Sequence, residues 1–300
     1  MRVEPLNRER SADFVRYCLK QRNEVDESFL YDEDLNSFRP DEENPTYILL
    51  DAQGELVGVA SLIIDEYRRR ARAGRFRILH SEVADPKANQ ALLQAILKHT
   101  EGLDRIFVFV PLANVSQTEM VQGLGFSVER YAFALVRGDL DVPDAVFPEG
   151  YEVRRFVPGR DEEAWCEVRN TAFATLRGSE TPMTPAMVAE MASRESSLHG
   201  EMLLLFHGDR PIGIVRCVPD EHEGSPAMEI APLAIIPEYQ GRGLGRNLLR
   251  TALKVAKERG FHQTVLSVNA ENERAKSLYI QEGFREVEAV ACYGYNLRRD

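Results

Sequence analysis

The sequence has little cysteine, no closely spaced metal ligands and no long apolar run. Its four cysteines are scattered over 300 residues, so it has neither a CxxC redox pair nor a zinc knuckle, and its histidines show no HxH or HExxH spacing. We therefore expect reduced thiols and no metal site. No stretch approaches the roughly 18 apolar residues that a membrane helix requires, and the first residues lack the apolar segment of a signal peptide. These absences predict a cytoplasmic protein without a membrane partner.

Positive charge is also scarce, because 37 lysines and arginines face 48 aspartates and glutamates, for a formal net charge of -11. A field that attracts nucleic acid is therefore not expected. The exception is a basic run at 68–72, which Arg75 and Arg77 follow closely. We interpret this run as a solvated hairpin tip, with contact to an anion or to nucleic acid as the alternative.

The chain is long enough for two domains of about 150 residues each. A segment near its midpoint, 139–150, contains two prolines, a glycine and several acids but shows no helical period. This composition is typical of a linker and predicts one domain at 1–140 and another at 150–300.

The second half shows a clear succession of strands and helices. Runs of apolar alternation predict strands, and apolar residues at helical spacing predict helices. The predicted strands are 151–156, 202–207, 210–218, 229–236, 263–268 and a final pair at 285–290 and 293–297; the predicted helices are 161–173, 185–193, 245–259 and 272–282. This order is typical of an α/β domain.

The first half repeats the same order more weakly. A Gly-Phe dipeptide at 125–126 corresponds to the one at 283–284, and an asparagine precedes each at the same spacing, Asn114 in the first half and Asn272 in the second. We interpret the chain as a tandem repeat of one α/β domain. A chance match of common hairpin patterns is the alternative.

A glycine-rich turn, Gln240-Gly241-Arg242-Gly243-Leu244-Gly245, connects an apolar strand to a helix. Such a turn presents several backbone N–H groups at the positive end of the helix dipole. Arg242 and Arg246 can add charge-assisted contacts to phosphate oxygens. The turn therefore predicts a pyrophosphate site. The glycine spacing of a dinucleotide-binding GxGxxG is not met, and no Gly-Lys-Ser/Thr of a nucleotide P-loop is present.

The turn resembles the acetyl-CoA loop of the GCN5-related N-acetyltransferase (GNAT) superfamily, whose pattern is Gln/Arg-x-x-Gly-x-Gly/Ala. The preceding strand at 233–238, the stretch 269–279 and the Gly-Phe at 283–284 are also similar to that family. The resemblance covers about 151–297 strongly and the first half weakly. It implies an α/β fold with two tandem GNAT-like domains, each a central mixed, mostly antiparallel sheet flanked by helices.

The resemblance also implies how acetyl-CoA is held as co-substrate, without a metal. Backbone amides of the turn bind its pyrophosphate, and the strand before the turn pairs with its pantetheine arm. The implied cofactor-binding residues are Leu233, Ala234, Ile235, Gln240, Gly241, Arg242, Gly243, Leu244, Gly245, Arg246, Asn272 and Tyr279.

Tyr279 is the implied general acid, because a phenol can protonate a departing thiolate. It lies seven residues after Asn272, so both side chains share one helix face. A tyrosine that is merely packed at a helix end is the alternative. Asn272 can cap its helix, contact the cofactor, or do both.

Glu229 is the implied general base. It precedes Gln240 by eleven residues, where several family members have a catalytic glutamate. A base is required because an ammonium group has no lone pair for attack on the thioester, and desolvation of a carboxylate raises its pKa. A water chain as the base, and an exposed glutamate at a strand end, stay open.

The first half departs from this pattern. Eleven residues separate Pro237 from Leu248, but only six separate Pro86 from Leu92, so five residues of the loop are missing. Val121 stands where the second half has its tyrosine. We therefore expect that the first domain has lost cofactor binding and catalysis.

The predicted function is an N-acetyltransferase that moves acetyl from acetyl-CoA to a primary amine of a small molecule or peptide. Direct attack is expected, because no nucleophilic cysteine or serine constellation is visible. The alternative is a non-catalytic acetyl-CoA-binding sensor or partner module. Both a monomer and a homodimer are compatible with the sequence.

Overall fold

The structure, a computed structural model, describes residues 1–197 and 200–298. The chain divides into two compact units. Unit 1 comprises Met1–Ala132 together with the chain from Glu288 onward, and unit 2 comprises Phe133–Val287. None of the described helices is long and apolar enough to cross a membrane.

Unit 1 is a sheet with helices on both faces. Its helices are α1 (Ser11–Gln21), α2 (Asp32–Ser37), α3 (Glu66–Arg70), α4 (Pro86–Leu97) and α5 (Val115–Gly123), and its first strands are β1 (Arg2–Pro5), β2 (Thr46–Leu50), β3 (Leu56–Ile63), β4 (Ala73–Ser81) and β5 (Arg105–Pro111). The strands follow chain order in the sheet; neighbours are antiparallel except β4 and β5, which are parallel. Leu92 and Val121 belong to one core, and Phe14 and Leu35 belong to a second core.

Unit 2 repeats this arrangement. Its helices are α6 (Glu162–Phe173), α7 (Pro185–Ser197), α8 (Leu244–Glu258) and α9 (Glu273–Gln281), and five of its strands are β7 (Tyr151–Arg155), β8 (Glu201–His207), β9 (Arg210–His222), β10 (Ser225–Ile235) and β11 (Thr264–Asn269). Only β10 and β11 pair in parallel among these five. Helix α8 is amphipathic, and its apolar face buries Leu248, Leu249 and Leu253 in the core.

Each unit takes its sixth strand from the other half of the chain. The remaining strands are β6 (Ser127–Arg137) and β12 (Arg285–Asn296). Strand β12 pairs antiparallel with β5 and, from Glu288, completes the sheet of unit 1. Strand β6 lies beside β11, and its part from Phe133 belongs to unit 2, while its first residues, up to Ala132, belong to unit 1. The prediction of two final strands, at 285–290 and 293–297, is therefore wrong. The ladder with β5 continues without a break through Ala291 and Cys292, both fully buried.

Residues 138–148 contain neither helix nor strand, which fits the composition of the predicted linker. The units differ from the predicted domains at 1–140 and 150–300 because of the two exchanged strands. Phe133 onward belongs to unit 2, and Glu288 onward belongs to unit 1. Strand exchange of this kind depends on pairing between distant segments, which local sequence patterns do not report.

Candidate active site

Strands β10 and β11 begin as a parallel pair and then separate. Their ladder comprises Met228 with Thr264 and Glu229 with Val265, while β10 continues to Ile235 along β9. A strand presents alternate backbone groups to its two sides. Part of the backbone at 233–235 therefore lies on the side away from β9, where a peptide-like ligand can pair with it.

A bulge in β10 accompanies this separation. The register with β9 shifts between Ile230 and Leu233, around Pro232, which has no N–H to contribute to a ladder. Arg216 of β9 donates from Nη1 to the carbonyl oxygen of Ala231 at 2.6 Å and so holds the bulged backbone. Bulges re-aim the residues that follow them, here the residues expected to pair with pantetheine.

The glycine turn ends at the first residue of α8. Gly241 and Gly243 have φ values of +81° and +77°, in the left-handed region that favours glycine. Gly243 is the N-cap of α8, and among the residues that the structure describes no side chain caps this helix. The first amides of a helix have no partner within it. The turn therefore presents uncompensated N–H groups at the positive end of a 15-residue helix.

Side chains of the turn hold the turn itself. Gln240 donates from Nε2 to the carbonyl oxygen of Ile235 at 2.9 Å, and its Oε1 lies 3.5 Å from Nη1 of Arg274. Arg242 stacks over the ring of Tyr239, 4.8 Å from its centroid, and donates to the carbonyl oxygen of Glu238. These bonds fix the backbone that would meet a phosphate.

Arg246, which was expected to contact phosphate, bonds to protein groups in this structure. It donates to Oε1 of Gln281 at 2.6 Å and to the buried carboxylate of Glu282. Arg250 also binds Glu282, at 2.8 and 2.9 Å. Burial alone would raise the pKa of Glu282, but hydrogen bonds from Arg250 and Arg246 outweigh it and lower the pKa. The phosphate role of Arg246 stays a prediction.

Tyr279 lies in α9 with only 7% of its surface exposed. Its ring packs 5.9 Å from that of Phe284. Within the described residues its hydroxyl makes no hydrogen bond. Burial raises the pKa of Tyr279 to about 12, so the phenol keeps its proton at neutral pH. A protonated, unengaged hydroxyl is what a general acid requires.

Asn272 caps α9. Its Oδ1 accepts a hydrogen bond from the amide of Ala275 at 3.2 Å. The capping role is thereby confirmed. Its predicted contact with the cofactor stays a prediction.

Glu229 lies where β10 and β11 separate, and its side chain is 33% exposed. Its Oε2 lies 3.7 Å from Nη1 of Arg216. The carboxylate is thus less desolvated than its strand position suggested and lies beside a positive charge. In this position the carboxylate can be reached by an ammonium group or by a water molecule that relays its proton.

Sequence reasoning missed Arg216, Arg274 and Glu282. Arg274 lies inside the stretch at 269–279 that resembles the family, so its position was a usable signal. Arg216 lies on β9 and Glu282 lies beyond the end of α9, and neither belongs to a motif. Their contacts arise from strand pairing and helix packing between segments that are far apart in the chain.

Unit 1 has the same order of strands and helices as unit 2, but its helix α4, which corresponds to α8, begins differently. Asp85 caps α4, because its Oδ1 accepts the amide of Lys87 at 2.9 Å. The carboxylate of Asp85 thus occupies the place at the N-terminus of α4 where a bound phosphate would lie. The sequence has no glycine turn before this helix. Asn114 caps α5 as Asn272 caps α9, but the buried side chain seven residues on is Val121. These features agree with the expected loss of cofactor binding in this half.

No group of three or more His, Cys, Asp or Glu side chains among the described residues could hold a metal ion. The four cysteines are free and buried.

The basic run at 68–72 does not form a solvated hairpin tip throughout. Arg68 lies in α3 and is half-buried, and the arginines that follow the run, Arg75 and Arg77, lie half-buried in β4.

Comparison with known proteins agrees with the predicted family. A sequence model of the Acetyltransferase (GNAT) family matches residues 164–284. A mycothiol acetyltransferase of Arthrobacter sp. (strain FB24) is 28% identical over 267 residues, covering 87% of this chain and 79% of that protein. A mycothiol acetyltransferase of Streptomyces bingchenggensis (strain BCW-1) is 30% identical over 257 residues, covering 80% of this chain and 77% of that protein.

A solved structure has the same fold. It is a tandem GNAT protein from the clavulanic acid biosynthesis pathway, with a TM-score of 0.73 and 13% identity, and the match covers 100% of this chain and 99% of that one. The predicted fold class of two tandem GNAT-like domains, each with a mixed, mostly antiparallel sheet flanked by helices, is confirmed.

Proposed function

The chain belongs to the GNAT acetyltransferase family, and on that premise we propose that it transfers the acetyl group of acetyl-CoA to a primary amine at the site in unit 2. It is an acetyltransferase of GNAT type, and enzymes of this type use acetyl-CoA as co-substrate. The observation that carries the proposal is the uncapped N-terminus of α8 beside the open edge of β10, with the free hydroxyl of Tyr279 in the same unit.

The residues present fit a coenzyme A ligand. Backbone amides of 240–245 and the first turn of α8 bind the pyrophosphate, whose charge replaces the missing cap. Leu233, Ala234 and Ile235 offer backbone groups to the amides of pantetheine. A backbone N–H of this segment also polarises the thioester carbonyl, as an oxyanion-hole donor does.

The reaction needs a base and an acid. Glu229, directly or through water, takes a proton from the ammonium group of the acceptor, and the freed nitrogen forms a bond to the thioester carbon. The carbon–sulfur bond breaks, and the departing thiolate takes the proton of the Tyr279 hydroxyl. The acetylated nitrogen releases its second proton to water as it becomes an amide nitrogen, and the Tyr279 phenolate takes a proton back from water. Holding both substrates together supplies much of the acceleration, and the proton held by Glu229 returns to solvent.

The names of the relatives direct the choice of acceptor. Both relatives described above are called mycothiol acetyltransferases, and we propose the unacetylated amine form of mycothiol as the first acceptor to test. The sensor alternative is not favoured, because these relatives are enzymes that transfer acetyl groups.

A thiol-release assay tests the proposal. The full chain is mixed with acetyl-CoA and each of several amines: the unacetylated form of mycothiol, an amino acid, a polyamine and a peptide. We expect amine-dependent release of coenzyme A and an acetylated product detected by mass spectrometry. Binding of acetyl-CoA without acetylation of any of these amines would contradict the proposal and restore the sensor alternative.

A further inference from the structure

Unit 1 contains a cluster of arginines on two aromatic rings. Phe107 and Phe109 are two residues apart on β5, so their side chains lie on one face of the sheet, and their ring centroids are 5.9 Å apart. Four guanidinium carbons lie within 6 Å of one ring or both. They belong to Arg68, at 5.3 Å from Phe107; Arg105, at 5.3 Å from Phe107; Arg75, at 4.9 Å from Phe109; and Arg130, at 5.7 Å from Phe107 and 5.3 Å from Phe109.

The carboxylates nearby do not balance these charges. Asp26 pairs with Arg75 at 2.6 Å, and Glu129 pairs with Arg105 and lies 3.6 Å from Arg130. The guanidinium of Arg68 has no ion pair and no hydrogen bond within the described residues. The nearby Asp65 is engaged in capping α3, where it accepts the backbone amide of Arg68 at 2.7 Å.

Donors in the cluster are buried without acceptors. Nη1 of Arg130 is buried and makes no hydrogen bond to any described residue, since its carboxylate neighbour, Oε2 of Glu129, is 3.6 Å away; Nε of Arg75 is likewise buried without a hydrogen bond. The side chain of Arg130 is only 7% exposed. Buried polar groups are normally paired, and buried charges especially so. The missing partner of these donors is therefore an acceptor that carries negative charge.

The arginines also repel one another. Burial, the positive charge of Arg75 and, to a smaller extent, that of Arg130 together lower the pKa of Arg68 to about 10, against the opposite effects of Asp65 and Tyr67. A bound anion would relieve this repulsion. Arg105 is the member of the cluster with the more exposed side chain, at 32% against 7% for Arg130.

The cluster stands at the place of the proposed base in the other repeat. Strand β4 pairs Arg75 with Phe107, and β10 pairs Glu229 with Val265. When 105–110 is matched to 263–268, Phe107 corresponds to Val265, so Arg75 corresponds to Glu229. The position that carries a negative charge in unit 2 carries a positive charge in unit 1.

We propose that unit 1 binds a small oxyanion, a carboxylate or a phosphate group, between Arg68, Arg75 and Arg130 over Phe107 and Phe109. Guanidinium groups suit both anions, because their planar forks donate paired hydrogen bonds to two oxygens. This binding does not depend on the reaction proposed for unit 2.

Calorimetry on the full chain tests this site. Inorganic phosphate is titrated into the protein saturated with coenzyme A, so that the glycine turn of unit 2 is occupied, and malonate is titrated in parallel as a carboxylate. Arg68→Gln removes a guanidinium that makes no ion pair and no hydrogen bond among the described residues. Arg69→Gln is the matched control, because Arg69 is its exposed neighbour in α3. We expect Arg68→Gln to weaken binding about tenfold or more, and Arg69→Gln to change it by less than about twofold.

Each outcome decides the proposal. Binding of either anion supports the site if Arg68→Gln weakens it and Arg69→Gln does not, and the anion that binds more tightly identifies the chemistry of the site. The proposal is overturned if Arg68→Gln and wild type bind the anions with equal affinity, or if neither anion binds at about 10 mM. It is also overturned if phosphate binds the protein without coenzyme A but not the protein saturated with it, because phosphate would then occupy the glycine turn of unit 2. Thermal unfolding of Arg68→Gln checks that the variant is folded, and Arg130→Gln provides a second, independent loss of a donor.

Discussion

The amide of Phe284 donates a hydrogen bond to the carbonyl oxygen of Tyr279 at 3.0 Å, and this bond closes α9 onto the strand that follows. The equivalent bond in unit 1 joins Phe126 to Val121 at 3.1 Å. The backbone frame of the two repeats is thus the same at this point. What differs is the side chain, because only unit 2 places a hydroxyl on this buried position.

Replacing Tyr279 by Phe is expected to lower kcat about 10²-fold, the usual contribution of a positioned acid. Affinity for acetyl-CoA and the melting temperature should stay close to wild type, since the ring contact with Phe284 is kept and the hydroxyl has no partner in the described structure. Steady-state kinetics and calorimetry measure both. Tyr131→Phe, at an exposed tyrosine of β6, is the control. An unchanged kcat in Tyr279→Phe would remove this residue from the mechanism.

Glu229→Gln is expected to lower kcat by about 10²-fold at neutral pH while acetyl-CoA binding is kept. The amide has the shape of the carboxylate but cannot take a proton. The loss should shrink as pH rises, because more of the acceptor is then already a free amine. Glu223→Gln, in the exposed turn between β9 and β10, controls for loss of charge. Wild-type rates in Glu229→Gln would point to a water chain as the base.

Gly243→Ala tests the turn. The φ of +77° is strained for alanine by about 1–2 kcal/mol, and an added Cβ would meet no atom within 4 Å, so any effect comes from the backbone. We expect the Kd for acetyl-CoA to rise about tenfold. Gly54→Ala is the matched control, since Gly54 has a φ of +87° and equally open surroundings in unit 1. Both variants should lose similar stability, and only Gly243→Ala should lose affinity.

The cap formed by Asp85 bears on how many acetyl-CoA molecules one chain binds. Because its carboxylate caps α4 where an anion would lie, calorimetry should find one acetyl-CoA per chain. Asp85→Ala should lower the free energy of unfolding by about 1 kcal/mol, and Asp85→Asn, which also caps, should not. One acetyl-CoA is expected in both variants, since the glycine turn is absent from this half. A second bound molecule in wild type would refute the loss of cofactor binding in unit 1.

The cysteines predict how the folded chain reacts with a thiol reagent. Burial raises the pKa of Cys18 and of Cys217 to about 12 and that of Cys292 to about 11, and it also raises the pKa of Cys166. Raised values keep the thiols protonated at pH 8, where the thiolate is the reactive form. We expect slow labelling at pH 8 in the native protein and labelling of all four thiols in denaturant. Because the folded pKa values lie above the ordinary 9.0, the folded state should lose stability as pH rises beyond 9 toward 12. Rapid native labelling of any cysteine at pH 8 would contradict this burial.

The sequence located the helices and strands of unit 2 closely. The helix predicted at 245–259 is Leu244–Glu258, and the strand predicted at 263–268 is Thr264–Asn269. Apolar periodicity reports such elements because one face of each must be buried. The wrong element was the split at 291–292, where two small buried residues interrupt the alternation without interrupting the strand.

Contacts between distant segments account for what the sequence did not predict. The guanidinium groups of Arg75 and Arg130 come from β4 and β6, yet both lie over Phe109 of β5. No motif links three strands at such separations. The sequence likewise did not predict the bond from Arg246 to Glu282, because Glu282 lies 36 residues further along the chain, beyond the end of α9.

The sequence by itself determined the family, the glycine turn that is complete only in the second half, and the tyrosine that unit 1 lacks. These are local properties, because a turn of left-handed glycines and a helix start require particular residues at particular positions. Only the tertiary structure decided which strand completes each sheet, which carboxylate neutralises Arg246, and that Arg68 has no carboxylate partner among the described residues. Those outcomes depend on pairing across the chain, where the same residue is a solvated charge or a buried donor according to its neighbours.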